Sequence, residues 1–266
     1  ENGVVVIVPE VQTTLRAVAE AGFIGGTQDA DRGGMQLPHV IASASIAYME
    51  AANIGTASYP MLTAGAANLI AAFGSDAQKA EFVPKMSRGE LSFFVGYSEP
   101  EAGSDATSQH TTAIDAGDHY ILNGTKNWIT NGNSASYYLV IAQTYPEKGH
   151  KGINALIVEK DSPGVTVGAK ENKLGIRGSD THSIMFQDVK VPKANRIGDD
   201  GFGFTFAMKV LAGGRIGIAA QALGIASGAY ELALKYSKER KAFGTEISNH
   251  QAIAFKLADM ATEIEA

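Results

Sequence analysis

The spacing of apolar residues divides the chain into three parts of different character. In residues 11–89 apolar positions recur at i, i+4 and i+7 from Val11 onward, which is the period of an amphipathic helix. Residues 91–192 instead carry short runs of β-branched and aromatic residues, separated by clusters of Gly, Asn, Asp and Pro. Long helical patterns return in residues 201–266. This order argues against a doubly wound sheet, in which strands and helices alternate throughout.

Local signals place individual elements within these parts. Pro38 occupies the first position of a predicted helix over His39–Ala52, and Ser75 with Gln78 predicts a helix start with a capping box. The Asn123-Gly124 pair is a hairpin-type signal. The strands, spaced as in an antiparallel sandwich or barrel, are predicted at Tyr120–Leu122, Tyr137–Ala142, Asn154–Val158, Val165–Val167 and Ser183–Phe186. The C-terminal helices are predicted at Gly203–Ala212, Arg215–Arg240 and His250–Ala266.

Composition and charge restrict the class of protein. The 266 residues are 45% hydrophobic and 19% charged, which is ordinary for a folded chain, and a net charge of −6 leaves no basic stripe for nucleic acid. The absence of cysteine excludes disulfides, thiolate catalysis and Cys-ligated zinc, and the six His residues lack metal-ligand spacing. No apolar run approaches the roughly 20 residues of a membrane span. We therefore expect no nucleic acid, metal or membrane span. With no signal peptide, a bacterial cytoplasm is the expected location, with a mitochondrial matrix as the alternative.

Two polar segments carry the strongest chemical signal. Gly96–Asp105 (GYSEPEAGSD) and Asn123–Gly132 (NGTKNWITNG) place small residues and hydroxyls where helices give way to strands. They can be two polar turns of a β-domain, or a binding loop in which small residues allow close backbone approach. Trp128 is the only tryptophan, and its turn-type neighbours suit a rigid planar wall for a flat ligand. The residues alone leave both interpretations open.

Five ordered segments resemble the signatures of the acyl-CoA dehydrogenase family. Gly96–Asp105 is similar to the family's [ST]-E-P-x-A-G-S-D loop, and Asn123–Gly132 to its N-G-x-K-x-W-I-T-N strand. Lys173–Ser179 is similar to its K-x-G-x-R-x-S turn, and Gly213–Arg215 to its Arg-containing helix. Glu239–Ala252 is similar to its E-R-x-x-F-G pattern with a later Gln.

The resemblance implies a fold and an activity. The expected fold is α+β and multidomain: an N-terminal helical domain over 1–90, a middle antiparallel β-barrel-like domain over 91–195, and an incomplete C-terminal helical bundle over 196–266. The expected activity is FAD-dependent α,β-dehydrogenation of an acyl-CoA thioester, with electrons passed to an electron-transferring flavoprotein. The family also implies a homo-oligomer, a dimer or a tetramer. An acyl-CoA oxidase is a closely related alternative.

The resemblance also implies roles for individual residues. The backbone of Tyr97 and Ser98 would meet the pyrimidine edge of the flavin, Trp128 would pack on the isoalloxazine face, and Thr130 would lie near N5. The implied FAD contacts are Val95, Tyr97, Ser98, Gly103, Ser104, Trp128, Ile129 and Thr130, together with Arg240, Phe243 and Gln251 acting across a subunit boundary. The implied substrate contacts are Ser104, Ala212, Gly213, Gly214 and Arg215, with Arg215 beside the substrate and the catalytic base.

The catalytic base is the main departure from the family pattern. In most members it is a Glu in a later Y-E-G-[ST] segment, which this sequence lacks, and the minority position is occupied by Gly214. The other carboxylates of the last helices are expected on helix surfaces: Glu231, Glu239, Glu263 and Glu265. We therefore expect a family chain truncated at both ends. The alternative is a catalytically incomplete subunit that binds FAD and acyl-CoA in a heteromeric complex.

Overall fold

The N-terminal part of the protein is helical. A computed structural model describes residues 8–266, so residues 1–7, where the first predicted domain begins and where a signal peptide would start, lie outside the described part. The helices are α1 (Pro9–Glu20), α2 (His39–Phe73) and α3 (Asp76–Ser87). The N-terminal helical domain predicted from the sequence is therefore confirmed.

The long helix α2 is interrupted once, which explains why its sequence signal ends early. Asn53 has extended backbone angles (φ −164°, ψ 100°), and its Oδ1 accepts a hydrogen bond from the Thr56 N–H at 3.1 Å. Asn53 thus caps a second helical segment that continues to Phe73. The predicted end at Ala52 therefore coincides with the end of the first segment, and the second segment was not predicted separately. The sequence predicted Pro38 as the first helical residue of α2, but the structure shows Pro38 as the N-cap that precedes the helix.

The start of α3 is a capping box, as the sequence predicts. The Ser75 Oγ accepts from the Gln78 N–H at 3.2 Å, and the Ser75 N–H donates to the Gln78 Oε1 at 2.9 Å. The Gln78 amide also donates to the carbonyls of Ala194 and Arg196, at 2.8 and 3.0 Å. The same cap therefore joins the N-terminal helices to the end of the strand-rich part.

A curled seven-stranded sheet forms the middle of the protein. Its order is β1-β4-β2-β3-β7-β6, with β5 paired to β4. The strands are β1 (Phe93–Gly96), β2 (Thr112–Asp115), β3 (His119–Thr130), β4 (Tyr137–Gln143), β5 (Ile153–Glu159), β6 (Val165–Lys170) and β7 (Thr181–Pro192). Every predicted strand lies within one of these. Most pairs are antiparallel, but β1 and β2 each pair in parallel with β4.

The Asn123-Gly124 pair lies inside β3, so the predicted hairpin turn at this pair is wrong. Gly124 has φ +145°, and the register with β7 shifts between Leu122 and Gly124. A Cβ at Gly124 would lie 2.6 Å from the Thr111 Oγ1, so only glycine fits at this point of β3, opposite a bulge in β7. The hairpin between β2 and β3 instead turns at Gly117, which has φ +94°.

The sheet separates two apolar cores, and β4 contributes to both because successive side chains point to opposite faces. Leu139 and Ile141 belong to a core shared with α2, α3 and the start of the C-terminal helix. Tyr138 and Val140 belong to a second core enclosed by the curl of the sheet. The first core therefore packs the sheet against the helices that precede it in the chain and against the helix that follows it.

The C-terminal part consists of α4 (Gly203–Glu239), a short hairpin of β8 (Lys241–Ala242) and β9 (Thr245–Glu246), and α5 (Gln251–Glu265). The two helices predicted on either side of Gly213-Gly214 are one helix of 37 residues. By length and composition alone α4 could cross a membrane. However, it packs directly on α2, where a Cβ at Gly224 would lie 2.1 Å from the Ala47 carbonyl oxygen. The expected absence of a membrane span stays a prediction.

The close approach of α2 and α4 predicts a specific destabilisation. Gly224→Ala should lower the free energy of unfolding by about 2 kcal/mol, because the added methyl group collides with the backbone of α2. Gly213→Ala is the matched control on the same helix, since nothing lies within 4 Å of its Cβ position. It should instead stabilise by roughly 0.5–1 kcal/mol through helix propensity. Urea unfolding measures both, and equal effects of the two substitutions would contradict the close packing.

Candidate functional site

A largely apolar cavity of about 810 Å³ lies where the end of β1 meets α2 and α4. Val95 and Tyr97 line it from the sheet side, and Gly213, Gly214 and Arg215 line it from α4. The structure thus brings together predicted cofactor residues and predicted substrate residues that lie more than 110 positions apart in the chain. Ala212, also predicted to contact substrate, is exposed on α4 but is not among the residues that line the cavity.

The glycines of α4 leave the cavity open. Nothing lies within 4 Å of a Cβ position at Gly213 or Gly214, so this stretch of the helix presents bare backbone to free space. Within the described part of the chain no carboxylate lines the cavity. The other candidate bases are exposed on α4 and α5, as expected: Glu231, Glu239, Glu263 and Glu265. The described residues therefore supply a binding space and a nearby arginine, but no carboxylate base.

Trp128 occupies an unusual backbone position at the end of β3. Its φ is +59°, a left-handed conformation that is rare for a bulky residue, and the register with β7 shifts between Lys126 and Ile129. The bulge directs the indole outward, and 62% of Trp128 is exposed. Ile129 is buried in the core, so only its backbone can reach a ligand, whereas Thr130 is half-buried. Strain that exposes a large aromatic ring is typical of a binding site.

The predicted binding loop is folded against this strand end. The Asn127 N–H donates to the Ser98 carbonyl at 2.8 Å, and the Tyr97 hydroxyl donates to the Ala106 carbonyl at 3.0 Å. Burial, with a smaller effect of Asp105, raises the pKa of the Tyr97 phenol, so it remains a neutral donor. Two further predicted site residues, Gly103 and Ser104, are exposed at the tip of the loop.

A buried ion pair lies beneath this loop, and the sequence analysis did not identify it. The Lys126 Nζ contacts the Glu99 Oε1 at 2.7 Å, and both side chains are almost completely buried, with 0% and 1% exposed. The Gln109 Oε1 accepts from the same ammonium at 2.6 Å. A signal was available: Lys126 continues the inward alternation of Tyr120 and Leu122 along β3, which would place a charge in the core.

Burial and pairing act in opposite directions on this pair. Burial lowers the pKa of Lys126 to about 8, even though Glu99 acts to raise it. Burial alone would raise the pKa of Glu99, but the Lys126 ammonium and hydrogen bonds from Thr111 and His110 hold that pKa below its ordinary value. At neutral pH both groups are therefore charged.

A second polar cluster joins α2 to the segment before β7. The Tyr59 hydroxyl donates to the Gly178 carbonyl at 3.2 Å and accepts from the Asp180 N–H at 3.3 Å. Burial, reinforced by Asp180, raises the pKa of Tyr59 to about 12. The buried Asn131 Oδ1 and Ser179 Oγ have no hydrogen-bond partner within the described part of the chain. Such orphan groups are rare in folded proteins and are often found where a ligand binds.

The remaining predicted cofactor residues form a separate cluster. Arg240 ends α4, Phe243 lies at the tip of the β8–β9 hairpin with φ +53° and 97% exposure, and Gln251 begins α5. His250 packs edge-on to Phe243, with ring centroids 5.9 Å apart. Arg240 lies 25 residues beyond Arg215 on α4, which corresponds to about 37 Å along the helix. Within one chain the structure does not bring this cluster to the cavity.

Comparison with known proteins identifies the class of protein that this arrangement belongs to. Profiles of the N-terminal, middle and C-terminal domains of acyl-CoA dehydrogenase match residues 7–90, 95–189 and 201–266. An acyl-CoA dehydrogenase of Bacillus subtilis (strain 168) is 50% identical over 199 residues, which are 75% of this chain and 52% of that protein. Subunit CarC of the caffeyl-CoA reductase–Etf complex of Acetobacterium woodii is 40% identical over 258 residues, covering 96% of this chain and 68% of that subunit.

A solved structure agrees over nearly the whole chain. The three-dimensional structure of butyryl-CoA dehydrogenase from Megasphaera elsdenii superposes with a TM-score of 0.92 at 41% identity, covering 96% of this chain and 68% of that one. The chain belongs to the acyl-CoA dehydrogenase family. It spans about half of the Bacillus subtilis relative, 52% of its length.

The buried lysine predicts a pH dependence of stability. The unfolded chain keeps the ordinary lysine pKa of 10.5, whereas the folded value is about 8, so the unfolded state binds more protons between these values. Lys126 should therefore make the free energy of unfolding rise with pH from about 8 to 10.5. Lys126→Met should lose this rise, and the exposed control Lys190→Met should keep it. Urea unfolding at several pH values tests this, and equal slopes for both variants would refute a depressed pKa.

Proposed function

We propose that the protein takes part in FAD-dependent α,β-dehydrogenation of an acyl-CoA thioester. The observation that carries the proposal is the meeting of the loop after β1 with Gly213–Arg215 of α4 around one apolar cavity. This pairs the loop expected to hold a flavin with the helix expected to hold the substrate. Membership of the acyl-CoA dehydrogenase family supports the same activity.

The residues present fit a flavin. The Ser98 N–H makes no hydrogen bond within the described part of the chain, and it is the donor proposed for the pyrimidine edge. Trp128 offers an exposed aromatic face, and Thr130 offers a half-buried hydroxyl beside it. Gly103 leaves open space at its Cβ position for close approach of a ligand. The other proposed contacts on this side are Val95, Tyr97, Ser104 and the backbone of Ile129.

The chemistry divides between the cofactor and the chain. Bound FAD would supply the acceptor for the hydride that leaves the substrate Cβ. The apolar walls of the cavity would exclude water, and Arg215, which lines the cavity, would lie beside the substrate. Ser104 would contact the pantetheine, and the backbone of Gly213 and Gly214 would lie along the acyl group. A base that removes the α-proton is required, and no carboxylate is among the described residues that line the cavity.

The names of the relatives support a finer proposal for substrate and partner. We infer a short acyl chain, since the solved relative is a butyryl-CoA dehydrogenase. We infer an electron-transferring flavoprotein as the acceptor, since another relative is a subunit of a caffeyl-CoA reductase–Etf complex. A bacterial cytoplasm is the proposed location, with a mitochondrial matrix as the alternative.

The distance along α4 supports assembly into a homo-oligomer. Arg240 lies about 37 Å along the helix from Arg215. No dinucleotide extends that far. If Arg240, Phe243 and Gln251 hold the pyrophosphate and adenosine of FAD, they do so for a second copy of the chain. A dimer is the smallest assembly that satisfies this, and a tetramer contains two such pairs.

One observation favours a second candidate function. Because no described carboxylate lines the cavity, the chain on its own could be a subunit that binds FAD and acyl-CoA without catalysing the reaction. A partner chain would then supply the base. The two candidates differ in whether the bound flavin is reduced by substrate.

The anaerobic visible spectrum of the purified protein distinguishes these candidates. We expect a bound flavin with an absorbance band at roughly 450 nm, as is general for flavins. This band should bleach on addition of butyryl-CoA, and it should bleach less on addition of long-chain acyl-CoAs. Bound flavin that no acyl-CoA bleaches would support the binding subunit. Purified protein with neither flavin nor the capacity to bind added FAD would refute both.

The exposed indole predicts a loss of cofactor affinity. Trp128→Ala should raise the FAD dissociation constant by about tenfold or more, because it removes the aromatic surface proposed to cover the ring. Trp128→Phe should retain most of the affinity, since a planar ring remains. Ile114→Ala, at another exposed apolar position (57%), is the control and should leave affinity unchanged. Fluorescence titration with FAD measures all three, and wild-type affinity in Trp128→Ala would contradict the placement.

A further inference from the structure

The Lys126 ammonium joins three separate points of the loop between β1 and β2. It donates to the Tyr97 carbonyl at 3.3 Å, to the Glu99 Oε1 at 2.7 Å and to the Gln109 Oε1 at 2.6 Å. These three acceptors account for all three N–H groups of the ammonium. Because the side chain is fully buried, water does not compete for these bonds. Lys126 is therefore a fixed centre around which the loop is arranged.

Of the three acceptors, Glu99 alone has other hydrogen-bond donors within the described part of the chain. The Glu99 carboxylate also accepts from the backbone N–H groups of His110 and Thr111, at 2.6 and 3.0 Å. Removal of the ammonium would thus leave Glu99 held to the far end of the loop. The Tyr97 carbonyl has no other donor within the described part of the chain. Lys126 is therefore the sole donor to the Tyr97 carbonyl and to the Gln109 Oε1, and of these two acceptors the Tyr97 carbonyl belongs to the backbone expected to meet the flavin.

The Tyr97 carbonyl belongs to the same peptide unit as the Ser98 N–H. A cation that donates to the carbonyl of an amide draws electron density toward oxygen and makes the N–H of that amide a stronger donor. The Ser98 N–H is the unpartnered group of this unit, while the Ser98 carbonyl is held by the Asn127 N–H at 2.8 Å. The Tyr97 carbonyl and the carbonyl of the next peptide unit are thus both held, and the Ser98 N–H between them is left available.

The charge of Glu99 confines the effect of Lys126 to short range. Two opposite unit charges 2.7 Å apart act at longer distance as a dipole, so they give the site little net field. A hydrogen bond relayed through one peptide unit is local and does not cancel in this way. The relevant influence on a ligand therefore passes through Tyr97 and Ser98.

We propose that Lys126 is a positioning residue for the flavin, which fixes the Tyr97–Ser98 peptide and strengthens the Ser98 N–H as a hydrogen-bond donor to the pyrimidine edge of FAD. The inference rests on the proposed function. Reduction of a flavin adds electron density to this edge, so a stronger donor there stabilises the reduced form more than the oxidised form. Lys126 thereby raises the reduction potential of the bound cofactor without touching it.

The test compares three variants of the FAD-bound protein by dye-equilibration potentiometry and thermal unfolding. Lys126→Met should lower the equilibrium constant for two-electron reduction about tenfold, which corresponds to a potential about 30 mV more negative. The double variant Lys126→Met/Glu99→Gln removes the unpaired carboxylate. It should regain melting temperature relative to the single variant but keep the lowered potential. Lys190→Met, an exposed lysine on β7, is the matched control and should leave both quantities unchanged.

The outcomes separate a relay through the peptide from a merely structural role. A wild-type potential in Lys126→Met, or a potential restored together with stability in the double variant, would overturn the proposal. Hydrogen exchange of the flavin-free protein gives a readout that needs no cofactor. The amides of residues 97–111 should exchange faster in Lys126→Met than in Lys190→Met, and equal rates would refute the fixed centre itself. If the wild-type protein binds no FAD while this exchange difference is seen, the proposed function fails and the inference about FAD falls with it, but the architecture of the loop stands.

Discussion

The buried ion pair between Lys126 and Glu99 is the interaction on which the arrangement of the site depends. Loss of one member of such a pair leaves an uncompensated charge in the core, at a cost of about 3–5 kcal/mol. Replacement of both by apolar residues is often neutral, so the pair is weak as a source of stability. Its value here is geometric. It links the loop after β1 to β3, which carries Trp128 near its end, and these are the two segments expected to contact the flavin.

A second constraint sets the opposite wall of the cavity. α2 and α4 approach so closely at Gly224 that no side chain fits between them. Where the cavity begins, the same helix carries Gly213 and Gly214, whose Cβ positions face open space. Glycine therefore has two different uses along α4. At one position it allows two backbones to touch, and at the other it keeps volume free beside Arg215. Along its length α4 thus lines the cavity, then packs on α2, and finally leads into the β8–β9 hairpin.

Periodicity predicted the helices and the longer strands, because these elements each bury one continuous face. It did not predict β1 and β2, which have four residues each and are too short for a period to be visible. The Asn123-Gly124 pair was misassigned for a different reason. Positive φ at glycine also occurs inside a strand where another backbone approaches closely, and here only the tertiary contact with Thr111 distinguishes this case from a turn. The motifs supplied the candidate site residues, but the partner of a buried charge is not encoded locally, so the pairing of Lys126 with Glu99 was missed.

The division of the predicted cofactor residues into two clusters has a structural cause. A continuous helix between Arg215 and Arg240 acts as a rigid spacer of about 37 Å, so no loop movement within one chain can close the gap. Phe243 at the hairpin tip is 97% exposed and held in a left-handed conformation, a costly arrangement for an aromatic residue left in water. Both features follow if the hairpin docks on another copy of the chain. In that case the length of α4 determines which surfaces of two subunits meet, and the flavin-facing loop of one chain is completed by the hairpin of the next.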